Sequence, residues 1–240
     1  MVIILNRAIK SLVERILPVL EERGFKLKKG ADPVFIRRER FGFLYLAFPS
    51  FPMPENGGYQ VVRCGLGVRH DRVDDIVNQL GHIWGDANRR NTTTVYRGLE
   101  FFPFVTTRDE KQIIRFLHIE EDADVAAANI IAMLKEDGFA FFERYSSLEE
   151  CTKGLNDPIE AITHPLFNRF PSRAYYGVAA AALTEPDRVQ NLLQRYVEFM
   201  HSSGVVDQLM YDIAKDKTGI DAMVERLETV ARLGLAVQSD

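Results

Sequence analysis

The side chains best suited to chemistry are few, and their spacing is the first thing to weigh. The 240 residues include two cysteines and five histidines. Cys64 and Cys151 cannot build a disulfide framework, and no CxxC or Cys/His zinc spacing is present. Cys64 alternates with Val62, Leu66 and Val68 on one apolar face of a strand pattern, which predicts a buried thiol. His82 and Asp86 stand at i, i+4 with His70 just before them, but a third metal ligand is not near in sequence, so no metal is expected. His118 alternates with Ile114 and Phe116 and reads as a hydrogen-bonded strand residue. Gly65-Leu66-Gly67 lies inside a strand pattern and opens no helix, so it marks a bulge or a close helix crossing rather than a dinucleotide loop. No G-x-S-x-G nucleophile elbow occurs. Neither catalytic residues nor a cofactor follow from these patterns, although a site assembled from dispersed His, Asp and Ser residues stays open.

Carboxylates are more suggestive. Glu120, Glu121, Asp122 and Asp124 form one run, and Glu149 and Glu150 a second pair. General acid–base work needs one carboxyl of a pair to be perturbed. These runs read instead as charge at helix N-termini, where the macrodipole favours acids.

The elements that would carry these residues fall into two styles. Leu5, Ile9, Leu12, Val13, Ile16, Leu17 and Leu20 predict an amphipathic helix over 5–23, with a kink or late restart at Pro18 and a stop at Gly24. Short aromatic and β-branched runs follow at 25–29, 34–40, 41–48, 59–69, 93–104 and 113–119, joined by brief turns that favour antiparallel pairing. A helix over 71–84, capped by Asp71 with Asp74 at N3, interrupts them, and its stripe includes the only tryptophan, Trp84. Beyond 119 the pattern is helical. It predicts a helix over 122–137 ending at Gly138, and a capping box Ser147-x-x-Glu150. Further helices are predicted from Thr184-x-x-Asp187, over 205–216 and over 220–233. The fold class is α+β: residues 1–120 form an antiparallel sheet backed by an N-terminal helix, and residues 121–240 a helical region packed on it as one unit. The repeated Leu-x-Glu-x-Gly-Phe at Leu20–Phe25 and at Leu134–Phe139 reads as two helices with the same glycine stop rather than a duplication.

Composition excludes disordered and collagenous classes, and no apolar run reaches the ~20 residues that span a bilayer. The first residues lack the basic leader of a secretory signal, so a cytoplasmic protein is expected. A net charge of −4 hides a polarised chain. Residues 1–40 hold ten lysines and arginines against five acids, whereas residues 120–160 hold eleven acids against three bases. Such asymmetry points to a charged partner or to the two regions meeting each other. Lys26, Lys28, Lys29, Arg37, Arg38 and Arg40 interleave with Phe25, Phe35, Phe41, Phe43 and Tyr45, the residue types of a single-strand nucleic-acid face. The acidic total and the two-sided apolar strand 41–48 weigh against that reading.

Gly24-Phe25-Lys26-Leu27-Lys28-Lys29, Phe35-Ile36-Arg37-Arg38 and Phe43-Leu44-Tyr45-Leu46, following an amphipathic helix, resemble an uncharacterised bacterial domain-of-unknown-function family. The resemblance covers roughly residues 5–120, with a looser match at 186–200. Some relatives of that kind sit beside polymorphic toxins and resemble immunity proteins, which bind and block a cognate toxin, and no catalytic residues are attributed to the family. The resemblance, with the charge clustering, implies a non-enzymatic binding protein whose partner is a basic toxin domain; the lack of a membrane-length apolar run predicts no membrane partner, and the acidic total leaves nucleic acid unexpected. Its acidic face is expected at Glu120, Glu121, Asp122, Asp124, Glu149 and Glu150. The alternatives are a hydrolase-like enzyme with a dispersed site, or a nucleic-acid-binding module that uses the basic aromatic sheet region.

Overall fold

The computed structural model describes residues 7–28, 33–48, 50–53, 59–62, 65–80, 92–98, 116–117, 120–161, 166, 170–202 and 219–237. Trp84, Cys64, His82, Asp86, His118 and the helix expected over 205–216 lie outside the described residues. The chain divides into two compact units, residues 1–68 with 96–144, and residues 69–95 with 145–240. Each unit combines two stretches of chain.

In the first unit, helix α1 (Arg7–Glu22) buries Ile9, Leu12, Ile16 and Leu20, as the apolar stripe requires. Each of these side chains is worth about 2 kcal/mol of apolar transfer. The helix runs through Pro18 without a restart. Pro18 and Glu14 are both exposed, so the carbonyl that loses its donor lies on the solvated side. Gly24, at φ +78°, ends the helix as expected. Its N–H donates to the Glu21 carbonyl, that of Phe25 donates to Leu20, and Phe25 turns back to pack against Phe142.

Strands β1 (Lys26–Lys28), β2 (Val34–Glu39) and β3 (Gly42–Ala47) pair antiparallel in sequence. They begin a five-stranded sheet of order β1-β2-β3-β6-β7, with β6 at Gly65–His70 and β7 at Val95–Gly98. The single strand expected over 59–69 is in fact two. Tyr59–Val62 (β5) joins a separate sheet between β4 (Ser50–Met53) and β8 (Phe116–Leu117). Gly65 marks a close approach, but of a strand side chain and not of a helix: the hydroxyl of Tyr96 on β7 occupies the place where a Cβ would stand. Helix α3 (Glu120–Met133) packs along α1.

Gly138 does not end its helix. A π-helical turn (Leu134–Gly138) leads directly into α4 (Phe139–Tyr145). A Cβ on Gly138 would lie 2.9 Å from Leu134 Cδ2 and 3.3 Å from Leu66 Cδ2, so this glycine serves close packing rather than a left-handed stop.

The second unit is mainly helical: α2 (Asp71–Asn78), α5 (Leu148–Asn156), α6 (Ser172–Thr184), α7 (Val189–His201) and α8 (Ile220–Ala236). Asp71 is not the cap of α2. His70 holds that position, and the Asp71 carboxylate accepts from Arg69 Nε at 2.6 Å instead. The Ser147 box forms, with Glu150 N–H donating to Ser147 Oγ at 3.2 Å. Thr184 closes α6 instead of opening the next helix. Its hydroxyl donates back to the Ala180 carbonyl, and a 3₁₀ turn (Pro186–Arg188) intervenes before α7. The fold is α+β, as the sequence pattern implies. Among the described residues no helix is long and apolar enough to cross a membrane.

Candidate functional site

Two polar constellations stand out, both in the second unit. The first is sealed. Where β6 hands over to α2, the side chain of Arg69 is almost wholly buried and reaches three carboxylates: Asp71, Asp74 at 3.3 Å and Asp75 at 3.3 Å. It also donates to Thr92 Oγ1 at 2.7 Å. Asp74 is fully buried, and it further accepts from Thr94 Oγ1 at 2.6 Å and from Tyr176 Oη at 3.4 Å. Thr94 Oγ1 in turn accepts from His70 N–H at 2.8 Å.

The electrostatics follow from this burial. Loss of water pushes the Asp74 carboxyl up to about 6, against the pull of Arg69 and the hydroxyls of Thr92, Thr94 and Tyr176. Burial also disfavours the Arg69 charge, but Asp74, Asp71 and Asp75 outweigh it and raise that pKa. A buried charge pair with every member hydrogen-bonded is a high-stakes structural device: removing one partner costs more than the pair contributes.

His70 and Cys151 meet beside this hub, with Sγ 3.4 Å from Nε2. The pairing has the residue types of a thiol nucleophile and its base, but not the arrangement. Nε2 lies 2.9 Å from the Tyr145 carbonyl and Sγ 3.1 Å from the same oxygen. A carbonyl only accepts, so both groups donate to it, and Nε2 has no lone pair left for the thiol proton. Burial, reinforced by the charges of Asp74, Glu149 and Glu150, raises the Cys151 pKa far above the usual thiol range. Burial likewise lowers that of His70, so the imidazole stays neutral. The thiol is held protonated and unreactive. Among the described residues no three His, Cys, Asp or Glu side chains gather as metal ligands.

The second constellation is open. A cleft of about 460 Å³ lies between α5 and the 3₁₀ turn with α7. Glu149, Glu150 and Lys153 stand on the α5 wall, Arg188 and Arg195 on the other, and Leu192 between them. Its walls are fixed from beneath. Asn156 Nδ2 donates to the carbonyls of Thr152 and Gly177, and Tyr196 Oη donates to Asn156 Oδ1 at 2.8 Å. Arg173, with no exposed surface, donates to four carbonyls along the end of α5: Leu155, Pro158, Ile159 and Ala161, at 2.7–2.9 Å. At the mouth, Arg188 pairs with Glu185, and Arg195 donates to Glu160 at 2.7 Å. Exposed pairs of this kind contribute little, so an incoming charged group can replace either partner at small cost. The Ser147 hydroxyl donates to Glu149 at 2.6 Å and holds that carboxyl below its usual pKa, so it stays ionised.

The six acids expected to form one face are distributed over both units. Glu120, Glu121, Asp122 and Asp124 begin α3 in the first unit. The side chains of the first three lie outside the description, and Asp124 is engaged by Arg15 of α1. Glu149 and Glu150 open α5 in the second unit and line the cleft together. Sequence reasoning missed Asp74, Arg173 and Arg195. Asp74 was visible only as a helix-start acid, and nothing in the local pattern marks Arg173. Comparison with models of known families, with curated proteins and with solved structures found no match.

Proposed function

We propose that this chain is a non-enzymatic binding protein that grips a basic partner protein at the α5–α7 cleft and neutralises it by occlusion, in the manner of an immunity protein. The observation that carries the reading is the open cleft with Glu149 and Glu150 on one wall, the Glu149 carboxyl held below its usual pKa by Ser147. Its exposed ion pairs are ready to be exchanged for groups of a partner. The acid-rich stretch 120–160 and the resemblance of residues 5–120 to relatives of immunity proteins support it further. Acids presented this way steer a basic partner and speed association more than they tighten the final complex. The buried Cys151–His70 pair adds no catalytic reading, because its thiol is kept protonated.

The test is to recover the partner from the native host, measure its binding kinetics, and assay its activity with and without this chain. With E149K/E150K the association rate should fall at least about ten-fold and its salt dependence should flatten. A saturating amount of the wild-type chain should abolish the partner's activity. A partner that binds E149K/E150K as fast as wild type, or that stays fully active in the complex, refutes the reading.

A further inference from the structure

The pairing register of the first three strands sorts the basic and aromatic residues onto defined faces. Lys26 lies opposite Ile36, and Ile36 opposite Tyr45. Lys28 lies opposite Val34, and Arg38 opposite Phe43. Residues directly opposite in an antiparallel pair project to the same side. One face of β1–β3 therefore carries Lys26, Lys28 and Arg38 around Val34, Ile36 and Tyr45, with the buried Phe43 and Ala47 flanking Tyr45 on β3. The other carries Phe35, Leu44 and Leu46, all fully buried. Glu39, the acid of these strands, falls in the core-facing set, where Arg37 donates to it at 2.7 Å.

The first face is open at the sheet edge. Lys26, Lys28 and Arg38 are exposed, and Val34, Ile36 and Tyr45 are half-buried. β3 is buried on both faces, as its two-sided apolar pattern implies, and Tyr45 is its one residue that stays half-exposed. β1 is an edge strand, and Arg38 lies over the Phe43 ring at 5.3 Å. Lys26 and Lys28 are separated by about 7 Å along the strand, and β1 to β3 spans about 10 Å. Exposed cations thus border a partly apolar floor on β1 and β2, with the half-exposed Tyr45 ring at its β3 side.

We propose that this sheet face binds a single-stranded nucleic acid, with phosphates on Lys26, Lys28 and Arg38 and a base against Tyr45. The cations supply the charge that a phosphate backbone seeks, and the ring supplies a sequence-tolerant stacking surface. A duplex hides its base faces and has little to offer Tyr45. The face belongs to the first unit and is independent of the cleft, so either site can stand without the other.

The experiment is fluorescence anisotropy with a labelled 12-nucleotide oligo-dT and a 12-base-pair duplex, from 20 to 200 mM salt. Oligo-dT should bind more tightly than the duplex. Log affinity should fall with log salt at a slope of about −2, as three phosphate contacts on a single strand predict. K26E/K28E should weaken binding at least about ten-fold, Y45L about five- to ten-fold, and Y45F little. Y45L keeps apolar volume on the sheet, and circular dichroism checks that each variant is folded. Absence of saturable binding at 20 mM salt overturns the proposal, as does indifference to K26E/K28E. If Y45L binds like wild type and poly-glutamate competes as well as oligo-dT, the face is a general polyanion or acidic-protein surface and the proposal fails.

Discussion

Arg173 gives the most demanding test of how the cleft is built. Its guanidinium is buried among the carbonyls of Leu155, Pro158, Ile159 and Ala161. Burial pulls its pKa down, with Tyr196 and Glu160 acting in the other direction. Replacing it by methionine keeps much of the apolar stem and removes the donors. The Pro158 and Ala161 groups are only partly buried, so water can take over there. Leu155 and Ile159 have no exposed surface; the Ile159 carbonyl would be left unpaired, and that of Leu155 would keep only the long 3.4 Å contact from Tyr196 Oη. At about 1–3 kcal/mol for each orphaned acceptor, R173M should lose about 4 kcal/mol, close to a thousand-fold in the folded ratio. Lysine should rescue little, because three donors on one nitrogen cannot span four carbonyls. Urea denaturation followed by far-UV circular dichroism reads this as a midpoint lower by about 2 M at a slope of about 2 kcal/mol per M. Hydrogen exchange over 155–161 should quicken in the same variant. A loss below about 1 kcal/mol in R173M would show that these carbonyls find other partners, and the account of the cleft wall would be wrong.

Three further outcomes follow from named contacts. Asp74 holds its proton to about 6 in the folded chain against about 4 when unfolded, so its burial favours folding in mild acid and that advantage fades as pH rises through 6. The stability of wild type minus D74N, measured by urea titration from pH 4 to 7.5, should therefore fall by about 2 kcal/mol across the range, nearly all of it below pH 6.5. The lowered pKa of His70 works in the opposite sense but is shared by both proteins, and a flat difference would refute the assignment to Asp74. A Cβ at Gly177 would overlap Asn156 Oδ1 where α5 and α6 cross, so G177A should destabilise by about 2 kcal/mol and lower the thermal midpoint. An unchanged midpoint would mean the crossing opens freely. In a C64A background, Cys151 should resist a thiol-reactive dye under native conditions and react in urea. Rapid native labelling would contradict the sealed geometry around Tyr145.

Periodicity was a good guide wherever one face of an element meets the core and the other meets water. The stripe of α1, the alternation in β2, the Ser147 cap and α8 are all of this kind. It failed where both faces are covered or where a local signal competed with packing. Helix α6 is buried on every side from Arg173 to Leu183, so its alanine-rich run has no stripe to read. Gly138 looks like Gly24 in sequence, yet Leu66 from a distant strand makes one a packing glycine while the other takes a positive φ. Thr184 had the spacing of a cap, but Pro186 starts a 3₁₀ turn, and the hydroxyl was already committed to Ala180.

The same physics explains which site residues were visible. Glu149 and Glu150 are legible because exposed charge announces itself locally, as a run at a helix start. The sealed hub was not legible, since Asp74 meets Tyr176 across 102 positions and His70 meets Cys151 across 81. Residue type cannot separate the two outcomes. Asp74 and Glu149 are both acids in the first turn of a helix. One has its pKa driven up by loss of water and is spent holding elements together. The other keeps water on one side and a serine donor on the other, remains charged, and is left facing a cleft. Only tertiary burial distinguishes a carboxylate that builds the protein from one free to meet a partner, and that is why the proposal for this chain rests on the open cleft.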